Sequence, residues 1–329
     1  MTKPATVSID EIIAFETLIS QNLMRARGTI SQRQEISMRG VVAPHYPSPK
    51  EALMLPDGFI SSPISSDIYR LIYNEVRIAP PLEITDDIVS EARLFTSKLT
   101  GVNLDRVRVV LVPSREWDIG ETVEGFHVHV GLTEHMVFAP TAFSSPAELL
   151  VHELGHAAHT TAQRENNELP FFFATPITAE FAAHFCQYNY LLSHQTRSHF
   201  INALGQLTTA TFALSIYASQ VFDNFDEFLK TENAKSIMQA LPLEIIERTY
   251  WSFSADKPRF HQEVLRGVAI VLALWFVDDH EGMKRFIASD RIDRTIGEKL
   301  EHAFHGTDLK KAFDCVNEQI YKLLNRFNR

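Results

Sequence analysis

Downstream of Pro140 the chain reads as one helix after another to Arg329, whereas the stretch just before it is written in strands. RVRVVLV (106–112), GFHVHVG (125–131) and HMVFAP (135–140) are rich in β-branched and aromatic residues and partly alternate, with LTE (132–134) as a tight turn. After them, helical spacing of apolar residues predicts helices over 146–161, 176–193, 197–222, 243–252, 259–278, 292–304 and 308–327, with one earlier at 86–100. This order predicts a mainly α protein with a small antiparallel or mixed β-sheet placed before a long helical run. Upstream, SIDE (8–11) has the form of a capping box and opens a helix carrying Ile9, Ile12, Ile13, Ile19 and Leu23. Residues 39–66 contain Pro44, Pro47, Pro49, Pro56, Pro63 and Gly58, which predicts an extended, Pro-rich arm. The expected division is an N-terminal helical region over 1–100, arm included, and a second domain over 101–329, the two forming one continuous domain as the alternative.

The first helix after the strands holds VHELGHAAH (151–159), three histidines and one glutamate within nine residues. Ser145 is placed to cap it, Pro146 suits its first position, and Glu148 completes a capping box. On that helix His152 and His156 stand four residues apart and point to the same side. Two neutral imidazoles at this spacing suit Zn²⁺, and Glu153 can reach a water beside the metal without binding the metal itself. This is the His-Glu-x-x-His pattern of zinc hydrolases, in which the metal lowers the pKa of its water and the glutamate takes the proton. A catalytic zinc needs a third protein ligand and one open position. Glu180, about one turn into the next helix (ATPITAEFAAHF, with Thr175 as cap and Pro176 in its first turn), is set among Ile177, Ala179, Phe181 and Ala182 and is the candidate. A buried salt bridge to Lys or Arg is the alternative reading of Glu180.

HELGHAAHTTAQRENNELPFFFATPITAEFAAHF resembles the catalytic stretch of the thimet oligopeptidase and oligoendopeptidase F family of zinc peptidases. HELGHAAH and AEFAA follow each other as in that family, with Glu180 at the third-ligand position. The resemblance is specific over about 152–190 and faint in DKPRFHQEVLRGVAIVLAL (256–274). It implies a zincin-like (gluzincin) catalytic domain, one zinc per chain and a peptide or protein substrate. The sequence departs from the family at Ala183, at Gln187 and on the late helix. There the transition-state tyrosines are missing, and His261, Arg266, Ile270 and Ala273 occupy the region.

The polar candidates for stabilising an oxyanion are therefore His261, Arg266 and Tyr250. Five residues turn through about 500° on a helix, so His261 and Arg266 cannot both face one centre; His261 is the preferred choice, and a salt bridge is the alternative reading of Arg266. His159 reads as support for the helix by hydrogen bonding, and His184 as a residue that orients a ligand or packs. His127 and His129 share one strand face; packing is the plainer reading of both. Residues 125–131 or 135–140 are the candidates for an edge strand that pairs with a substrate backbone. Phe171–Phe173 read as core or as a pocket wall.

A formal net charge of −10 and the lack of a Lys/Arg cluster argue against nucleic acid as a partner. Two cysteines, Cys186 and Cys315, make no disulfide framework. GVAIVLALWFV (267–277) is the longest apolar run and too short to span a bilayer, so it is expected as a buried core helix. The opening residues carry no basic, apolar secretory pattern, and the expectation is a cytoplasmic enzyme. Two rival readings remain: a relative that keeps zinc as a structural staple, and a di-iron carboxylate bundle. The second needs another Glu-x-x-His on a helix besides Glu153–His156, and the other predicted helices carry none.

Overall fold

The computed structural model describes residues 64–77, 79–117, 124–131, 133–166, 176–291 and 294–328, together with Ala14. The helix expected to begin at Ser8, nearly all of the Pro-rich arm, Phe171–Phe173 and the Thr175 cap lie outside the described residues. The first half of the chain contributes α1 (Ser66–Glu75), β1 (Leu82–Glu83), α2 (Asp86–Thr100), β2 (Arg108–Val112), β3 (Phe126–Val128), β4 (Met136–Pro140), β5 (Ala142–Phe143) and α3 (Pro146–Glu165). Then come α4 (Pro176–His194), α5 (Arg197–Ser219), α6 (Phe225–Leu229), α7 (Glu232–Ala240), α8 (Leu243–Ala255), α9 (Lys257–Trp275), α10 (His280–Ser289), α11 (Ile296–Ala303) and α12 (Ala312–Arg326). The protein is mainly helical with a small sheet, and no described helix is long and apolar enough to cross a membrane.

The chain divides into two compact units, one of which contains Ala79–Thr175 and His280–Phe304. Its sheet has the order β2-β4-β3, with β4 parallel to β2 and antiparallel to β3. The central strand β4 is buried along its whole length, as its unbroken run of apolar residues requires. The strands begin and end where a competing hydrogen bond takes over. Val107 N–H turns back to Leu104 O, so β2 starts one residue later. The Val130 N–H is taken by His135 Nδ1 at 3.0 Å, which ends β3 early and makes it shorter than its sequence pattern. On one face of the sheet Val112, Val130, Met136 and Phe138 form a cluster with Trp117 and Phe126, and Phe126 stacks on Phe138 with centroids 4.8 Å apart. Helix α2, started by the Thr85 side chain and stopped by Gly101 in the left-handed region (φ 75°), packs along α3.

Helix α3 starts differently from its sequence signature. Ser145 occupies the N-cap, but its backbone (φ −140°, ψ 76°) departs from the extended geometry that aims a cap hydroxyl at the first turn, and its side chain makes no cap bond. The start rests instead on Pro146, which has no N–H to satisfy, and on the Ser145 carbonyl, which accepts from Leu149 N–H.

The other unit contains Pro176–Asp279 and His305–Arg329 together with Met54–Ile78. Its axis is α9, the helix of the long apolar run, against which α4, α5 and α12 all pack. Val268 to Leu274 are at most 1% exposed, so this helix is apolar because it is enclosed on all sides. Close approach of α5 depends on Gly267: a Cβ there would meet Leu214 Cδ1 at 2.6 Å and the Ala210 carbonyl oxygen at 3.0 Å. Gly267→Val should therefore destabilise the protein by about 1–3 kcal/mol. In urea unfolding, the midpoint should fall while the slope stays the same.

Candidate metal centre

On α3, His152 and His156 are half-buried and one turn apart, with ring centroids separated by 4.9 Å and planes nearly perpendicular at 86°. Glu153 between them is only 5% exposed. The backbone of Gly125 runs against its carboxylate: a Cβ at 125 would stand 3.0 Å from Glu153 Cγ and 3.1 Å from Oε1. Any other residue there would press on the glutamate, so glycine is what allows the chain entering β3 to pass so close.

The third histidine of the motif has a separate task. His159 Nε2 lies 2.7 Å from Asp290 Oδ2, with both side chains fully enclosed, and Gln163 Nε2 donates to the same oxygen at 3.3 Å. Lys299, 2% exposed, brings its ammonium to 2.8 Å from Asp290 Oδ1. Burial pushes the Asp290 carboxyl up, but the His159 bond and the Lys299 charge outweigh it and hold the group below the usual aspartate range. One turn further, Arg164 Nη1 donates to Gly131 O at 2.8 Å, tying the turn between β3 and β4 to the end of α3.

Strand β3 has two chemically different faces. Phe126 and Val128 join the aromatic cluster. The opposite face carries His127 and His129, which with His135 form a nest of imidazoles: centroids lie 4.3 Å apart for His127–His129, 5.2 Å for His127–His135 and 6.0 Å for His129–His135. His127 also lies nearly parallel to His156, at 16° and 6.4 Å. Burial pushes all three toward the neutral form, His135 down to about 3. The neighbourhood of His127 and His129 is thus richer than the sequence reading allowed. His135, at the start of a strand and far from any recognised motif, gave no signal of its own. Because β4 is paired on both sides, β3 is the edge strand beside α3 among the described residues, and 135–140 is excluded from that role.

On α4, Glu180 is 24% exposed at its side chain and its Oε2 lies 3.4 Å from His184 Nε2, while His184 Nδ1 is 2.8 Å from Gln187 Oε1. Glu263 on α9, only 8% exposed, is raised above the usual glutamate range chiefly by burial; Arg266 and Arg259 oppose that rise and the charge of Glu180 adds to it. Arg266 Nη1 donates to Glu263 at 3.0 Å. Charge pairing is thus the role that Arg266 fills, with a partner three residues away on the same helix. The Tyr250 hydroxyl donates to Val221 O and accepts from Asn224 N–H, both at 3.0 Å, and so braces a loop. His261 is exposed at the mouth of a pocket of about 270 Å³ lined mainly by Ile216, Phe222, Phe253 and Phe260.

His152, His156 and Glu180 each offer one ligand atom, and these atoms all lie within 4.8 Å of one another. No other group of His, Cys, Asp or Glu among the described residues gathers in this way. Compared with family models, curated proteins and solved structures, the chain matches none.

The buried contact at Asp290 yields a stability prediction. Asp290→Asn should cost about 3–5 kcal/mol at neutral pH, since it removes the charge that answers a buried ammonium. A carboxyl whose folded pKa is lowered contributes fully above its ordinary range and loses that contribution as pH falls. In urea unfolding the gap between wild type and variant should be complete at about pH 7 and narrow below about pH 4.

Proposed function

We propose that the protein is a zinc-dependent peptidase, of the kind its resemblance to the thimet oligopeptidase and oligoendopeptidase F family implies. The observation that carries this reading is the gathering of two imidazoles and one carboxylate around a common point, with a buried glutamate next to one of them in sequence. Two nitrogen donors and one oxygen donor, with a fourth position left over, fit a catalytic zinc. When bound, the ion supplies a Lewis acid for a peptide carbonyl and lowers the pKa of water at the open position.

The remaining work belongs to the chain. Glu153 takes the proton of the attacking water and hands it to the leaving amine, a task favoured by its enclosure and by its place one residue from His152. His184 stands beside one oxygen of the Glu180 carboxylate. His159, fixed by Asp290, keeps the helix from rotating. The side of β3 that pairs with no strand among the described residues offers backbone N–H and C=O groups to an extended peptide beside α3. A purely structural zinc would have no use for the carboxylate of Glu153.

Elemental analysis should find one zinc per chain, and a chelator should remove it together with hydrolysis of a peptide library. Glu153→Gln should slow hydrolysis by at least about 10²-fold while zinc stays bound. Glu180→Gln should weaken zinc binding itself, because two imidazoles alone remain. Undiminished hydrolysis by Glu153→Gln, or zinc affinity untouched by Glu180→Gln, would sink the assignment.

A further inference from the structure

The hydrolysis proposed above needs a hydrogen-bond donor for the oxygen that becomes negative when the carbonyl is attacked. Of the polar groups that the sequence offers on α8 and α9, Tyr250 is committed to a backbone loop and Arg266 to Glu263. The imidazole nest on β3 contains another donor. His127 stands on the edge strand, two residues after the glycine that touches Glu153, and its ring lies almost parallel to that of His156. Its Nε2 is shielded from solvent and has no hydrogen-bond partner. A shielded polar atom without a partner is costly, and its retention calls for an explanation.

A second metal ion does not supply one, because the donors of His127, His129 and His135 do not gather as those of His152, His156 and Glu180 do. The neighbours instead favour a fixed, neutral ring. His135 accepts the Val130 N–H at Nδ1, so its own proton sits on Nε2, and it meets His127 edge to face. A neutral imidazole held in one place polarises a carbonyl without bringing a second positive charge to the site.

Resting on the peptidase reading, we propose that His127 is a catalytic residue whose Nε2–H donates to the developing oxyanion. In that step the water oxygen bonds to the carbonyl carbon and the carbonyl π pair moves onto the oxygen. The water proton passes to Glu153, and then to the leaving nitrogen as the C–N bond breaks. The hydrogen bond from His127 is stronger to the charged oxygen than to the neutral carbonyl, so it lowers the barrier and leaves substrate binding nearly unchanged.

The test uses the full chain loaded with zinc, a quenched-fluorescent peptide library and a phosphinic peptide whose tetrahedral anion mimics the charged oxygen. His127→Phe keeps the ring and removes the donor, whereas His127→Gln keeps an N–H. For His127→Phe we expect kcat to fall by about 10²–10³-fold with KM and zinc content unchanged. Calorimetry should show its phosphinic peptide affinity reduced by about as much, and His127→Gln should recover part of both losses. Zinc lost from His127→Phe would make the residue a ligand or a structural support and overturn the proposal. So would wild-type turnover, or an equal loss in KM. Dependence on Glu153 with indifference to His127 removes only this inference, while zinc-loaded wild-type protein that cleaves no member of the library removes the peptidase reading and this inference with it.

Discussion

His159 and Asp290 meet where neither side chain touches solvent, and the setting of α3 follows from that contact. A helix that takes three histidines and a glutamate into or against a protein interior must have each polar group answered. His159 is answered by Asp290, and Asp290 in turn by the ammonium of Lys299, from a segment far along the chain. The same helix end holds the β3–β4 turn through Arg164. The polar C-terminal half of α3 thereby acts as a fixed mount, and His152, Glu153 and His156 are carried on the half that remains. Rotation of the helix by even a fraction of a turn would break the mount.

Much of this architecture is visible in the sequence, because both periods are strong where they matter. Strands β2 and β4 and helices α2, α3, α4, α5 and α9 lie where alternation or helical spacing puts them. Elements that escaped are short or amphipathic over few turns: α1, α6, α7 and α10 offer too little repeat to stand out from loops. The two-residue pairing of β1 with β5 has no local signature at all, being made by residues about sixty positions apart. The Ser145 capping box failed for a backbone reason, since a cap requires φ and ψ that a residue pattern does not guarantee.

The candidate site divides in the same way. His152, Glu153 and His156 could be read from spacing alone, because one helix presents them. Glu180 needed a second motif, and His184, read as a residue that orients a ligand or packs, lies beside it. What stayed hidden was everything contributed by tertiary contact: Asp290 and Lys299 behind His159, and His135 beside His127. None of these has a spacing rule that links it to the motif. Conversely, Tyr250 looked available because a sequence does not show that its hydroxyl is already spent on Val221 and Asn224.

The order β2-β4-β3 puts the shortest strand of the sheet outermost, bonded on one side only among the described residues. Three residues with a single partner strand have the least to lose on opening, so β3 exchanges its amide hydrogens before the two strands it shields. The imidazoles of His127 and His129 are thus carried on an outer strand of the sheet, beside a helix that is pinned. An extended chain laid along that margin would supply the missing neighbour and turn a two-sided ribbon into the middle of a sheet.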